Sequence, residues 1–229
     1  LNWEFAEVLS FTETQINFKI EKENEKKDIF GSLSYNNVKW TLGKNKSLKN
    51  NFKIGDIIFV KKDKNFWSLK QYPKVNGGIV VIDPYTGDIK ALVGGFDFKS
   101  SEFNRVTQAK RQPGSAFKPI VYAAALDNGF SPNSIVLDAP FVESQGMGLK
   151  NWKPENYGKK FYGPSTLRKG IEYSRNLMTV RIAQILGLKK VLDLSEKLNI
   201  YDDIPELLSV SLGAAETTLL NLTSAYATF

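Results

Sequence analysis

The stretch "QPGSAFKPIVYAAALDNG", Gln112 to Gly129, decides how this chain is read. Gly114 permits a sharp turn and leaves the following serine uncrowded. The segment after Lys118, "PIVYAAAL", is apolar nearly all round, so the helix is buried rather than laid on the surface. Ser115 and Lys118 stand three residues apart and share a helix face. Two readings follow from these residues. Ser115 is an N-cap with Lys118 in the solvent, or Ser115 is a nucleophile with Lys118 as its base. Ser-x-x-Lys alone is too short a pattern to choose. The apolar context favours the second reading, because burial lowers a lysine pKa toward the range where it acts as a base.

Composition narrows the chemistry. The 229 residues contain neither histidine nor cysteine. That removes Ser-His-Asp and thiol catalysis, histidine-based zinc sites, and disulfides. A hydroxyl nucleophile here needs Lys, Asp, Glu or Tyr as its base. No acidic cluster has metal-ligand spacing, so we expect no metal and no cofactor.

A second element that could serve the pair lies in "GIEYSRNLMTVRIAQILG" (170–187), where Ser174-Arg175-Asn176 separates two helical patterns. A serine hydroxyl can relay a proton, and an asparagine amide can donate and accept to a peptide group. Either could equally cap the helix that starts there, and Ser131-Pro132-Asn133 shows that Ser-x-Asn also arises in an ordinary turn. Arg175 is expected to face solvent. In the long irregular stretch 131–164, Trp152 and Tyr157 are expected to pack in the core rather than line a cleft.

Outward from this centre, helices are expected over 115–128, 165–173, 176–186, 188–198 and 216–229. Before them, "GIVVIDPYTGDIKALVGG" reads as a hairpin turning at Pro84-Tyr85-Thr86-Gly87. Its strands are almost continuously apolar and predict a covered sheet. Residues 1–74 differ in kind. Through residue 76 they hold 14 Lys and no Arg against 9 acids, a net +5, whereas the remainder carries +2 of the overall +7. Five short β-rich runs ("WEFAEVLS", "TQINFKI", "DIFGSLSY", "GDIIFVKK", "FWSLKQY") suggest a small OB-like barrel. Polar clusters such as "EKENEKK" and "LGKNKSLKNN" connect them. The expected architecture is α+β: a barrel over 1–74, then a second domain over 75–229. No apolar run of about 18 residues occurs. The missing Met and the apolar end lead us to expect a fragment of a longer protein.

Together, "GGIVVIDPYTGDIKALVGGFDFKSSEFNRVTQAKRQPGSAFKP" (77–119), "YGPSTLRKGIEYSRNLMTVRIAQILG" (162–187) and "SVSLGAAETTLLNLTSAYATF" (209–229) resemble the class A penicillin-binding proteins of the 1A type. The resemblance implies a penicillin-binding/serine β-lactamase-like transpeptidase domain over 75–229, behind an OB-like accessory domain. It implies that Ser115 is acylated by the D-Ala-D-Ala end of a peptidoglycan stem peptide, and by β-lactams. Lys118 would be the base, Ser174 the proton relay, Asn176 the substrate-amide and Lys118 partner, and the Ser115 N–H an oxyanion donor. The family's third motif, Lys-Thr-Gly or Lys-Ser-Gly, is absent, so this chain alone is expected to be impaired. The resemblance also implies anchoring in a bacterial inner membrane with the catalytic part on the periplasmic side. A β-lactamase or β-lactam sensor of the same fold is the nearest alternative. A non-catalytic module, with the basic barrel binding a protein partner or single-stranded nucleic acid, is another. Nucleic acid is disfavoured because every arginine lies outside the barrel.

Overall fold

The computed structural model describes residues 1–22, 27–43, 47–144 and 150–229, and forms two compact units, Leu1–Val75 and Asn76–Phe229. Parts of the polar connections "EKENEKK" and "LGKNKSLKNN", and residues 145–149 of the irregular stretch, lie outside the described residues.

The first unit is an antiparallel sheet of β1 (Glu4–Phe11), β2 (Gln15–Ile20), β3 (Ile29–Ser34), β4 (Ile57–Asp63) and β5 (Phe66–Lys70). Their order is β3-β2-β1-β4-β5. Alternation does what period two requires. Ile16, Phe18 and Ile20 of β2 turn to one face and are buried with Ala6, Val8, Leu33, Val60 and Leu69. The sheet curls around Phe18. Gly31 on β3 leaves no room for a Cβ against the rings of Phe18 and Trp67, and Trp67 of β5 meets Phe18 edge-on with centroids 5.3 Å apart. A short helix α1 (Tyr35–Val38) follows β3 and is tied to β5 by Asn37 Nδ2 donating to the Trp67 carbonyl at 2.8 Å.

The second unit opens on the ribbon β6 (Ile79–Ile82) and β7 (Ile89–Val93). Asp83 Oδ1 accepts from the Tyr85 and Thr86 N–H groups, and Gly87 takes φ 76°. The strands are not covered on both sides as their composition suggests. Ile79 is 57% exposed, Val81 46% and Val93 51%. Among the described residues only one layer meets this ribbon: helix α6 (Leu219–Tyr226) lies against β6, and the alternate residues Val80, Ile82 and Leu92 are the less exposed ones.

The rest is helical, built around α2 (Lys118–Asp127). Ile120, Val121, Tyr122, Ala124 and Ala125 of α2 are buried against Met178, Ile182 and Ala183 of α4 (Asn176–Leu186) and Val191 of α5 (Leu188–Lys197). Gly170 in α3 (Leu167–Glu172) lets Tyr122 and Met178 approach closely. Thr166 and Thr218 cap α3 and α6 by accepting from the backbone N–H three residues on. The helix expected over 115–128 starts instead as a 3-10 turn, Gly114–Phe117. Pro119 has no N–H to give to residue 115, and the Lys118 N–H bonds the Ser115 carbonyl in the tighter i to i+3 pattern. The long stretch 131–164 is closed at its ends by β9 (Ile135–Asp138) pairing with β10 (Gly163–Thr166). A two-residue pair, β8 (Lys110–Arg111) with β11 (Thr217–Thr218), brings the start of α6 beside the approach to Ser115.

Candidate active site

Ser115 sits second in the 3-10 turn and is exposed. Pro113 holds the N-cap position of that turn and no side-chain cap bond is made, so the capping reading of Ser115 does not apply. The turn is shaped by two glycines in contact. Gly114 has φ 55° and Gly213 φ 74°. The Gly114 N–H donates to the Gly213 carbonyl at 3.2 Å, and a Cβ on Gly213 would overlap the Gly114 backbone. Tyr226 Oη donates to the Ala116 carbonyl at 2.6 Å, pinning the same turn to α6.

Lys118 lies beneath, 2% exposed. Its Nζ donates to the Ser174 carbonyl at 2.6 Å, Ser174 Oγ at 2.9 Å and Asn176 Oδ1 at 2.6 Å. Among the described residues no carboxylate is hydrogen-bonded or ion-paired to it. Burial pushes its pKa down from 10.5 to about 8. The three acceptors come from a turn with its own signature. The Ser174 N–H bonds the Ile171 carbonyl and the Arg175 N–H bonds the Gly170 carbonyl. That is a Schellman closure of α3 with Ser174 at the left-handed position, φ 52°, where glycine is usual. Left-handed backbone turns the Ser174 carbonyl toward Lys118, and Asn176 opens α4 beside it. No hydrogen bond links Ser115 to Lys118 in this state.

The structure therefore brings Lys118, Ser174 and Asn176 together at a surface where Ser115 is also exposed. Arg175 does not face solvent: its guanidinium stacks on the Tyr162 ring, 3.3 Å from the centroid, and its side chain is 17% exposed. Tyr157 is fully exposed rather than packed, whereas Trp152 packs edge-on to Phe141. The site also uses residues that no local pattern flagged. The Glu155 carbonyl accepts from Asn176 Nδ2 at 2.7 Å. Asn156 Oδ1 accepts from the Leu177 N–H at 3.3 Å. No group of His, Cys, Asp or Glu among the described residues could hold a metal ion.

Ser-x-x-Lys with Ser-x-Asn belongs to a motif set of penicillin-binding proteins and class A β-lactamases, and a model of the penicillin-binding protein transpeptidase domain matches residues 77–227. The chain belongs to the penicillin-binding protein transpeptidase family. Penicillin-binding protein 1A of Rickettsia bellii is 44% identical over 226 residues, which is 99% of this chain and 28% of that protein. Its counterpart in Rickettsia conorii is 48% identical over 190 residues, 83% of this chain and 24% of that protein. The crystal structure of penicillin-binding protein 1A from Haemophilus influenzae superposes with a TM-score of 0.80 at 31% identity, covering 98% of this chain and 32% of that one. The PonA1 protein of Mycobacterium tuberculosis in complex with penicillin V superposes with a TM-score of 0.57 at 25% identity, covering 67% of this chain and 43% of that one. The chain thus spans 24–28% of the length of these curated relatives.

Proposed function

We propose that the protein to which this chain belongs is a serine D,D-transpeptidase that cross-links peptidoglycan. The observation that carries this reading is Lys118: buried, without a carboxylate partner, and held by three neutral oxygens of the Ser174–Asn176 turn. Such a lysine is neutral in a useful fraction of molecules near pH 7. Neutral Lys118 takes the Ser115 proton as Oγ attacks the carbonyl carbon of the penultimate D-Ala. The tetrahedral oxyanion is met by the Ser115 N–H, which has no intrahelical acceptor at the start of its turn. The C–N bond then breaks, and D-alanine leaves with a proton delivered through Ser174. An amine of a neighbouring stem peptide attacks the ester, gives up its proton to the same lysine–serine pair, and frees Ser115. β-Lactams acylate the same oxygen by opening their ring. Asn176 holds Lys118 and meets the substrate amide.

We also read the first unit as an OB-like accessory domain, suited to docking cell-wall assembly proteins. We place the protein at the bacterial inner membrane with this part on the periplasmic side. No helix among the described residues is long and apolar enough to cross a membrane. The 229 residues contain no Lys-Thr-Gly or Lys-Ser-Gly. In the proposed reading that motif brings the second oxyanion donor, so these residues alone should acylate about 100- to 1,000-fold more slowly than the full-length protein.

Fluorescent penicillin tests the reading. The full-length protein should be labelled covalently and Ser115→Ala should not. Labelling that survives Ser115→Ala would overturn it.

A further inference from the structure

Asp138, at the end of β9, is fully buried, and the proposed chemistry gives it no part. Its Oδ1 accepts from Asn156 Nδ2 at 2.7 Å. Its Oδ2 has no hydrogen-bond partner and lies 3.9 Å from Arg175 Nε. A buried carboxylate is costly unless something compensates it. What compensates this one is the middle residue of the Ser174–Asn176 turn on one side and Asn156 on the other.

Asn156 is nearly as buried, and its amide is committed at both ends. Nδ2 also donates to the Lys160 carbonyl at 2.9 Å, and Oδ1 accepts from the Leu177 N–H. Two consecutive loop residues therefore grip two consecutive residues at the start of α4. The Glu155 carbonyl holds the Asn176 side chain, and the Asn156 side chain holds the Leu177 backbone. The first grip has a consequence for Lys118. With its NH2 end occupied by Glu155, Asn176 must present its oxygen to the lysine.

We infer that Asp138 and Asn156 are positioning residues that lock the Ser174-Arg175-Asn176 turn over Lys118. Asp138 pulls on Arg175, which Tyr162 backs from the other face; Asn156 clamps the first turn of α4. Had the pair only stitched the loop to the β9–β10 hairpin, none of its contacts would need to end on residues 175–177. The consequence for catalysis rests on the transpeptidase reading; the consequence for Lys118 does not.

The test uses the full-length protein with Asp138→Asn, which keeps shape and can still accept from Asn156, and with Asn156→Ala. Three quantities are read: melting temperature, penicillin acylation kinetics, and the rate at which acetic anhydride modifies Lys118, scored by mass spectrometry against exposed Lys64. We expect Asp138→Asn to lower the acylation rate at saturating penicillin by about ten-fold or more, since small misplacements of reacting groups carry such costs. The half-saturating concentration should change little, and Lys118 should be modified several-fold faster. A lowered melting temperature with acylation and Lys118 reactivity unchanged would make the pair a structural stitch and overturn the inference, as would no change at all. If the wild-type protein is not acylated at Ser115, the transpeptidase reading fails, and Lys118 reactivity in the variants alone decides the inference.

Discussion

On the transpeptidase reading, Lys118 sets the pH behaviour of the site. An ordinary lysine, with a pKa near 10.5, is neutral in on the order of one molecule in three thousand at pH 7, whereas one near 8 is neutral in about a tenth. Because burial lowers this lysine to about 8, penicillin acylation should rise with pH and level off above a midpoint of about 8. Lys118→Arg, which stays protonated, should abolish it at every pH; a flat profile in the wild type would remove Lys118 from the role of base. Ser174 shows the cost of building the site. A non-glycine residue at φ 52° is strained, by roughly 1 kcal/mol. Ser174→Gly should therefore raise stability by about that amount in thermal denaturation while cutting acylation. Ser174→Ala should cut acylation with no gain in stability. Ser115 and Lys118 were legible as candidates from the apolar helix behind them, and Ser174 became one only beside the family resemblance, since Ser-x-Asn alone also caps helices. Asp138 and Asn156 were not, because no local period relates residues 138 and 156 to 175–177.

At the scale of elements, the Ser115 turn depends on two residues distant in sequence. Gly213 presses on Gly114, and Tyr226 bonds the Ala116 carbonyl. Gly213→Ala adds a Cβ where the Gly114 backbone already lies, at a left-handed φ. It should destabilise the protein by about 1–2 kcal/mol and slow acylation about ten- to a hundred-fold by shifting Ser115. Tyr226→Phe keeps the ring and loses one hydrogen bond, costing about 1 kcal/mol; a loss of acylation larger than its loss of stability would show that α6 aims the turn. No local pattern marks Gly213 for this contact. Its contact with Gly114 spans about a hundred residues and exists only once β8 and β11 pair. The exposed face of β6–β7 teaches a related lesson: the apolar run predicts cover on both faces, yet Ile79, Val81 and Val93 stand exposed, because what covers a face is not encoded in the strand itself.

At the scale of the whole molecule, the two units have separate cores, one around Phe18 and Leu33, the other around α2 and α4. A cavity in one should not reach the other's chemistry. Leu33→Ala should destabilise the first unit by about 2–5 kcal/mol with the acylation rate unchanged. Ile182→Ala, of similar cost, should slow acylation as well, because α4 carries Asn176. Equal effects of both on acylation would show that the cores are coupled.

The amino-acid sequence by itself pointed to most of the strands and helices, to a change of character near residue 75, and, through the resemblance its motifs carry, to Ser115, Lys118, Ser174 and Asn176 as the candidate set. The local part of that reading rests on interactions within a few residues: alternation along β2, glycine at a turn, a lysine at the head of an apolar helix. Only the tertiary structure decided that Lys118 is held by the Ser174–Asn176 turn rather than by Ser115, that Arg175 is stacked on Tyr162 and drawn to Asp138, and that the loop through Asn156 clamps α4. Those contacts join residues 13 to 58 positions apart. Burial there removes water as a competing partner, so direction and distance, which no one-dimensional pattern records, determine which groups pair.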